Sequence, residues 1–183
     1  MSAKFLTYLI SPLAVAVVAI GATTAQTQIT NQSKLAINGI GGIRVGMTVR
    51  EARRSSGTNL DYMGQIDDPT CYYVNPQTGS KGLGFMVSDG RIARVDVYDK
   101  SSVTTLSGAK IGDTEARIKA LYPGQIKVSI HKYTGASGGH YLTYVPKDKS
   151  DRNYRLVFET DGKRVLRFRA GKLPEVEYVE GCS

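Results

Sequence analysis

One phrase occurs twice in this chain, and it constrains the fold more than any other feature. Gly42-Ile43-Arg44-Val45-Gly46-Met47-Thr48 returns in altered form as Gly108-Ala109-Lys110-Ile111-Gly112-Asp113-Thr114. Each copy is followed by a short helical stretch, a Tyr-rich run ending in Pro, and a hairpin turning at Asp-Gly. Self-similarity in this order implies one small structural unit used twice. The reading is an α+β fold of two tandem units, each a short helix packed on an antiparallel β-sheet. The first unit spans residues 36–103 and the second residues 104–183.

Local signals support each copy. Thr48 and Glu51 stand at capping-box spacing, so Val49 to Ser56 reads as a helix that Gly57 ends. In the second copy Asp113 or Thr114 caps, Ala116, Ile118, Ala120 and Leu121 form an apolar stripe, and Pro123-Gly124 closes it. Helices of two or three turns are marginal in water, so each must pack against a sheet. Asp89-Gly90 and Asp161-Gly162 mark hairpin turns.

Extending the second hairpin by one residue on each arm matches Ala93, Val95 and Val97 to Leu166, Phe168 and Ala170. Only a symmetric extension keeps the same side chains inward, because faces alternate along a strand. The opposite face then carries Arg94 and Asp96 in the first copy. In the second it carries Arg155, Glu159, Arg167 and Arg169. That face is expected to lie in water, as one side of an antiparallel sheet often does.

The N-terminus reads as a leader rather than as part of the fold. Lys4 precedes an apolar stretch from Leu9 to Ile20, and Thr23-Thr24-Ala25 supplies small residues for cleavage, the pattern of a secretory signal peptide over residues 1–25. The apolar stretch is short for a membrane span of about 20 residues. Residues 26–35 form a polar lead-in. The formal charge of +8 falls to +7 on loss of Lys4. Cys71 and Cys182 are the only cysteines, and in an exported chain they are expected to pair. Closing a loop of about 100 residues stabilises by up to ~4–5 kcal/mol in the chain-entropy account. The expected location is the periplasm or the extracellular space.

Gly46-Met47-Thr48, followed by Ala52 and Gly57, resembles the Gly-Met-Thr phrase of the SmpA/OmlA (BamE-like) family. The tandem arrangement resembles that of β-lactamase inhibitor proteins, and the chain is also similar to exported cyanobacterial proteins. The resemblance implies a binding scaffold of the cell envelope. Two departures limit it: no Cys follows the leader to take a lipid, and one bond to the tail replaces a disulfide within each unit.

Catalytic chemistry finds little support. His131 and His140 bracket a glycine-rich loop and would need to converge with a carboxylate to hold a metal or act in hydrolysis. Ser137 between them lacks the strand-turn-helix setting of a nucleophile elbow. Asp67-Asp68 precedes Pro69 and reads as a turn. No cofactor is implied. The expected function is non-catalytic binding of another envelope or secreted protein, acidic ones included, through Arg94, Arg155, Arg167 and Arg169. The alternatives are an outer-envelope assembly factor and a hydrolase using His131 and His140.

Overall fold

The structure is a computed structural model, and it describes residues 27–64 and 68–182. The expected leader and Asp67 lie outside the described residues. The first strands are β1 (Lys34–Ala36), β2 (Gly39–Ile40) and β3 (Ile43–Arg44), followed by helix α1 (Val49–Ser56). Next come β4 (Leu60–Tyr62), β5 (Cys71–Pro76), β6 (Leu83–Ser88), β7 (Arg91–Val97) and β8 (Thr104–Thr105). Helix α2 (Glu115–Leu121) precedes β9 (Ile126–Ile130), β10 (His140–Tyr144), β11 (Tyr154–Thr160) and β12 (Val165–Lys172).

The expected pair of helix-on-sheet units is not what forms. The molecule is mostly β, with a four-stranded sheet in the order β3-β2-β1-β8 and an eight-stranded sheet in the order β4-β5-β6-β7-β12-β11-β10-β9. Strands from both halves of the chain join where β7 pairs antiparallel with β12, Phe168 opposite Val97 and Gly171 opposite Arg94. The seam forms because both strands are flanked by hairpins that leave one edge unpaired, and each edge satisfies the other's backbone groups. Two helices of eight and seven residues are too small to cover separate sheets. They share one core with the four-stranded sheet instead.

The repeated phrases nevertheless make the same contacts. Gly46 N–H donates to Ile92 O at 2.8 Å, and Gly112 N–H donates to Val165 O at 2.8 Å. Arg91 Nη1 donates to Gly46 O at 2.7 Å, and Arg164 Nη1 to Gly112 O at 2.7 Å. Thr48 and Glu51 form the full capping box, and Gly57 ends α1 in the left-handed region at φ 65°. Thr114, not Asp113, caps α2 through Arg117 N–H.

The core lies on one face of the eight-stranded sheet. Phe85, Val95, Val97, Phe158, Phe168 and Ala170 meet Ile118 of α2, Ala52 of α1 and Leu35, Ile40 and Ile43 of the smaller sheet. One expected match fails. Register shifts between Met86 and Val87 and between Glu159 and Thr160 turn the strand ends, so Ile92 and Val165 join this core. Ala93 is buried but does not join it, and Leu166 is left exposed. A bulge adds a residue to one strand and reverses the facing of those beyond it.

Gly171 sits at the seam because nothing larger fits. A Cβ there would stand 2.5 Å from Ala93 O and 2.7 Å from Arg94 Cα, both backbone atoms of β7. Gly171→Ala is expected to destabilise by about 1–3 kcal/mol through this overpacking. Urea unfolding compared with the parent measures it, and an unchanged midpoint would show that the seam has room.

Candidate functional site

The second face of the eight-stranded sheet carries the charged residues, placed there by alternation along β5, β7, β11 and β12. It is not the open face expected. Arg94 and Arg169 are each only 4% exposed, because the C-terminal tail crosses over them. Cys71 and Cys182 form a disulfide with Cα atoms 5.3 Å apart. Cys71 shares a strand face with Tyr73, so the bond draws the tail onto this side of the sheet. A 3₁₀ turn at Glu175–Glu177 lies in the tail, and buried Val176 packs with Tyr141 and Val157 beneath it.

Each buried guanidinium is held by several partners. Arg94 Nε donates to Asp96 Oδ2 at 2.8 Å. Its Nη1 donates to Glu175 O at 3.0 Å and Tyr178 O at 2.7 Å, and its Nη2 donates to Tyr73 Oη. Arg169 Nε donates to Val176 O at 2.6 Å, and its Nη1 donates to Glu159 Oε1. Glu159 is the hub: Arg167 Nε reaches its Oε2 at 2.6 Å and His131 Nε2 lies 3.2 Å from the same oxygen. Burial works to raise the Glu159 carboxyl, but Arg169, Arg167 and His131 together hold it below its ordinary value. At Asp96 burial wins over Arg94 and the carboxyl is raised. Burial first, then the Asp96 charge, pushes the Tyr73 and Tyr98 hydroxyls up, so both stay protonated donors.

Arg167 differs from its neighbours, with its side chain 48% exposed. It stands at a cleft of ≈ 160 Å³ that Arg94, Asp96, Tyr98, Glu159, Arg169 and the tail's Glu180 also line. Of the four arginines singled out in the sequence, Arg94, Arg167 and Arg169 converge here. Arg155 does not: its Nη1 turns back to Arg152 O at 2.9 Å and Tyr154 O at 2.6 Å.

The histidines serve other ends. His131 Nδ1 accepts from Tyr133 N–H at 3.1 Å and Thr134 N–H at 3.2 Å, and its ring stacks on Tyr141 with centroids 4.4 Å apart. Those acceptor roles leave Nε2 to carry the proton toward Glu159. His140 lies on the core side of β10 and pairs through Nδ1 with Glu115 Oε1 at 2.9 Å. The two rings therefore do not meet, and no three of His, Cys, Asp and Glu among the described residues stand close enough to share a metal ion. Ser137 closes a 3₁₀ turn, Gly135–Ser137. Asp68 Oδ1 accepts from Thr70 N–H at 2.7 Å, which makes it a turn former.

The residues missed in the sequence are Tyr73, Asp96 as the Arg94 partner, His131 at Glu159, and the tail as cover. One signal pointed to them: Cys71 and Tyr73 are two residues apart on one strand, so a Cys71–Cys182 bond had to bring the acidic tail over Tyr73. No helix among the described residues is long and apolar enough to cross a membrane. No protein-family model matches the chain, and no curated protein and no solved structure matches it.

Proposed function

We propose that this is an exported, non-catalytic binding protein of the periplasm or extracellular space that holds an acidic partner protein at the Arg167 cleft. The observation that carries this reading is Arg167, whose guanidinium reaches solvent while sharing its carboxylate with other cations. Arg167, Arg169 and His131 share one carboxylate, Glu159, while Arg94 has Asp96. The two guanidiniums on Glu159 exceed its charge, and the exposed one faces solvent. An exposed guanidinium beside low-dielectric walls attracts carboxylates and speeds their encounter, and the tail's own Glu180 lines the same cleft. Tyr98 and Tyr73 add hydroxyl donors beside it. The formal charge, +8 with the expected leader and +7 without it, acts in the same direction at longer range.

Arg167 is the residue to change, since Arg94 and Arg169 hold the interior together. A labelled oligoglutamate, and then envelope extract, are offered to immobilised parent and Arg167→Glu protein at low and high salt. Arg167→Glu is expected to weaken capture about ten-fold and to flatten its salt dependence, the behaviour of a partly exposed charge contact. Equal capture by both proteins would sink the assignment.

A further inference from the structure

The tail sits in its groove around the 3₁₀ turn Glu175–Glu177 rather than as a strand of the sheet. The sheet order includes no strand after β12. Arg94 and Arg169 hold the tail through the carbonyls of Glu175, Val176 and Tyr178. Backbone carbonyls are offered by any chain that follows the same turn, so these bonds do not depend on the tail's own side chains. One apolar side chain, Val176, anchors the segment between Tyr141 and Val157.

The tail also fits its seat loosely. A cavity of ≈ 200 Å³ opens between Glu177 and Val179 of the tail and Tyr141, Val157 and Arg169 of the sheet. The ≈ 160 Å³ Arg167 cleft lies at Val179 to Gly181. Glu175 is buried, yet its Oε2 has no hydrogen-bond partner. A buried carboxylate oxygen without a donor is costly, which marks a contact that a better-matched segment improves on. The groove is thus wider than its occupant requires, while Lys172 Nζ and Lys132 Nζ hold the tail's Glu175 and Glu180 at 3.1 and 2.6 Å.

We infer that this groove is a docking site for an acidic segment of a partner protein that takes up the same turn, and that the chain's own tail is a tethered occupant latched by Cys71–Cys182. The tail itself displays the chemistry that fits: Glu175, Glu177 and Glu180 interleave with Val176, Tyr178 and Val179. A segment of that pattern would place carbonyls on Arg94 and Arg169, an aliphatic side chain on Tyr141 and Val157, and a carboxylate on Arg167. The latch is reachable, since both cysteines are half-buried and line an open cleft of ≈ 760 Å³. A dithiol reductant supplies the two electrons and two protons: its thiols become a disulfide, the Cys71–Cys182 bond breaks, and two thiols form. One tether is then lost, and the tail's local concentration over the groove falls. This proposal rests on reading the cleft as an acidic-partner site. Capture by oxidised protein tests that reading separately.

The probe is a labelled peptide copying residues 173–181, and its control carries Gln in place of each Glu. Binding is measured on the oxidised protein, on the protein reduced with a dithiol and alkylated, and on reduced Val176→Asp, whose own tail has lost its anchor. Reduction is expected to tighten binding about ten-fold, and Val176→Asp to tighten it further, because the internal competitor is weakened. The Gln peptide is expected to lose most of this affinity. Amide exchange should rise in the tail while β11 and β12 stay protected. Equal binding in both redox states, or loss of protection across β11 and β12 on reduction, would overturn the proposal. Dimerisation of the reduced protein without peptide uptake would also overturn it, and would make a second copy the occupant.

Discussion

Replacing Arg169 with alanine is expected to destabilise the protein by about 3–5 kcal/mol, the cost of breaking one partner out of a buried ion cluster. Arg169 lies beneath the tail and donates to both Glu159 and the Val176 carbonyl. Its loss leaves the Glu159 Oε1 without its guanidinium while Arg167 and His131 stay on Oε2, leaves a buried carbonyl without its donor and loosens the tail. The Coulomb attraction of the cluster is largely offset by the desolvation of its members, so the effect comes from what is left unpaired. Arg169→Met combined with Glu159→Gln should therefore recover more than half of the lost stability, since the second change removes the desolvation cost of the buried carboxylate and the half-exposed Arg167 can return to water. Thermal and urea unfolding followed by circular dichroism give both values. A loss under about 1 kcal/mol for Arg169→Ala would show that water reaches the cluster and screens it.

Phe168→Ala is expected to cost a similar amount, about 3–5 kcal/mol, by a different mechanism. The Phe168 ring is 1% exposed and lies 5.6 Å from the Phe158 ring, which in turn lies 5.9 Å from Tyr122. It stands opposite Val97 across the seam. Truncation opens a cavity where the two halves of the sheet join, so relaxation there must disturb both. The neighbouring side chain supplies the control. Leu166 is 49% exposed, so Leu166→Ala is expected to change stability by no more than about 0.5 kcal/mol. Comparable losses for the two variants would mean that the facing of β12 has been assigned wrongly.

The groove changes how experiments on the basic face must be designed. Reversing Arg167 and Arg169 together confounds binding with folding, because one is a surface group and the other is part of the interior. Sequence alternation put both on one face correctly. It carried no information about which of them the tail would cover.

Much of the local structure was legible for local reasons. Thr48 with Glu51, Gly57, Thr114 and the two Asp-Gly turns act through neighbours a few residues away, so their chemistry is written in short stretches. The inward set of Phe85, Val95, Phe158 and Phe168 followed from strict alternation. The failures at Ala93 and Leu166 arose at bulges, which add a residue to one strand without any consistent sequence mark. The candidate site was half legible. Arg94, Arg167 and Arg169 were found as a face, while Arg155 was included although its guanidinium bonds back to its own turn. Glu159 was placed on that face without its role as the common acceptor being evident, since that role needs β9, β11 and β12 side by side.

By itself, then, the sequence determined the caps, the hairpins, the strand faces and the pairing of Cys71 with Cys182. These depend on backbone conformation, on two-residue periodicity, or on there being only two thiols. Tertiary structure alone decided that β7 and β12 would fuse both halves into one eight-stranded sheet, and that the tail would enclose the arginines. Periodicity states which way a side chain points, whereas long-range pairing and burial depend on which distant segment gains most by covering it.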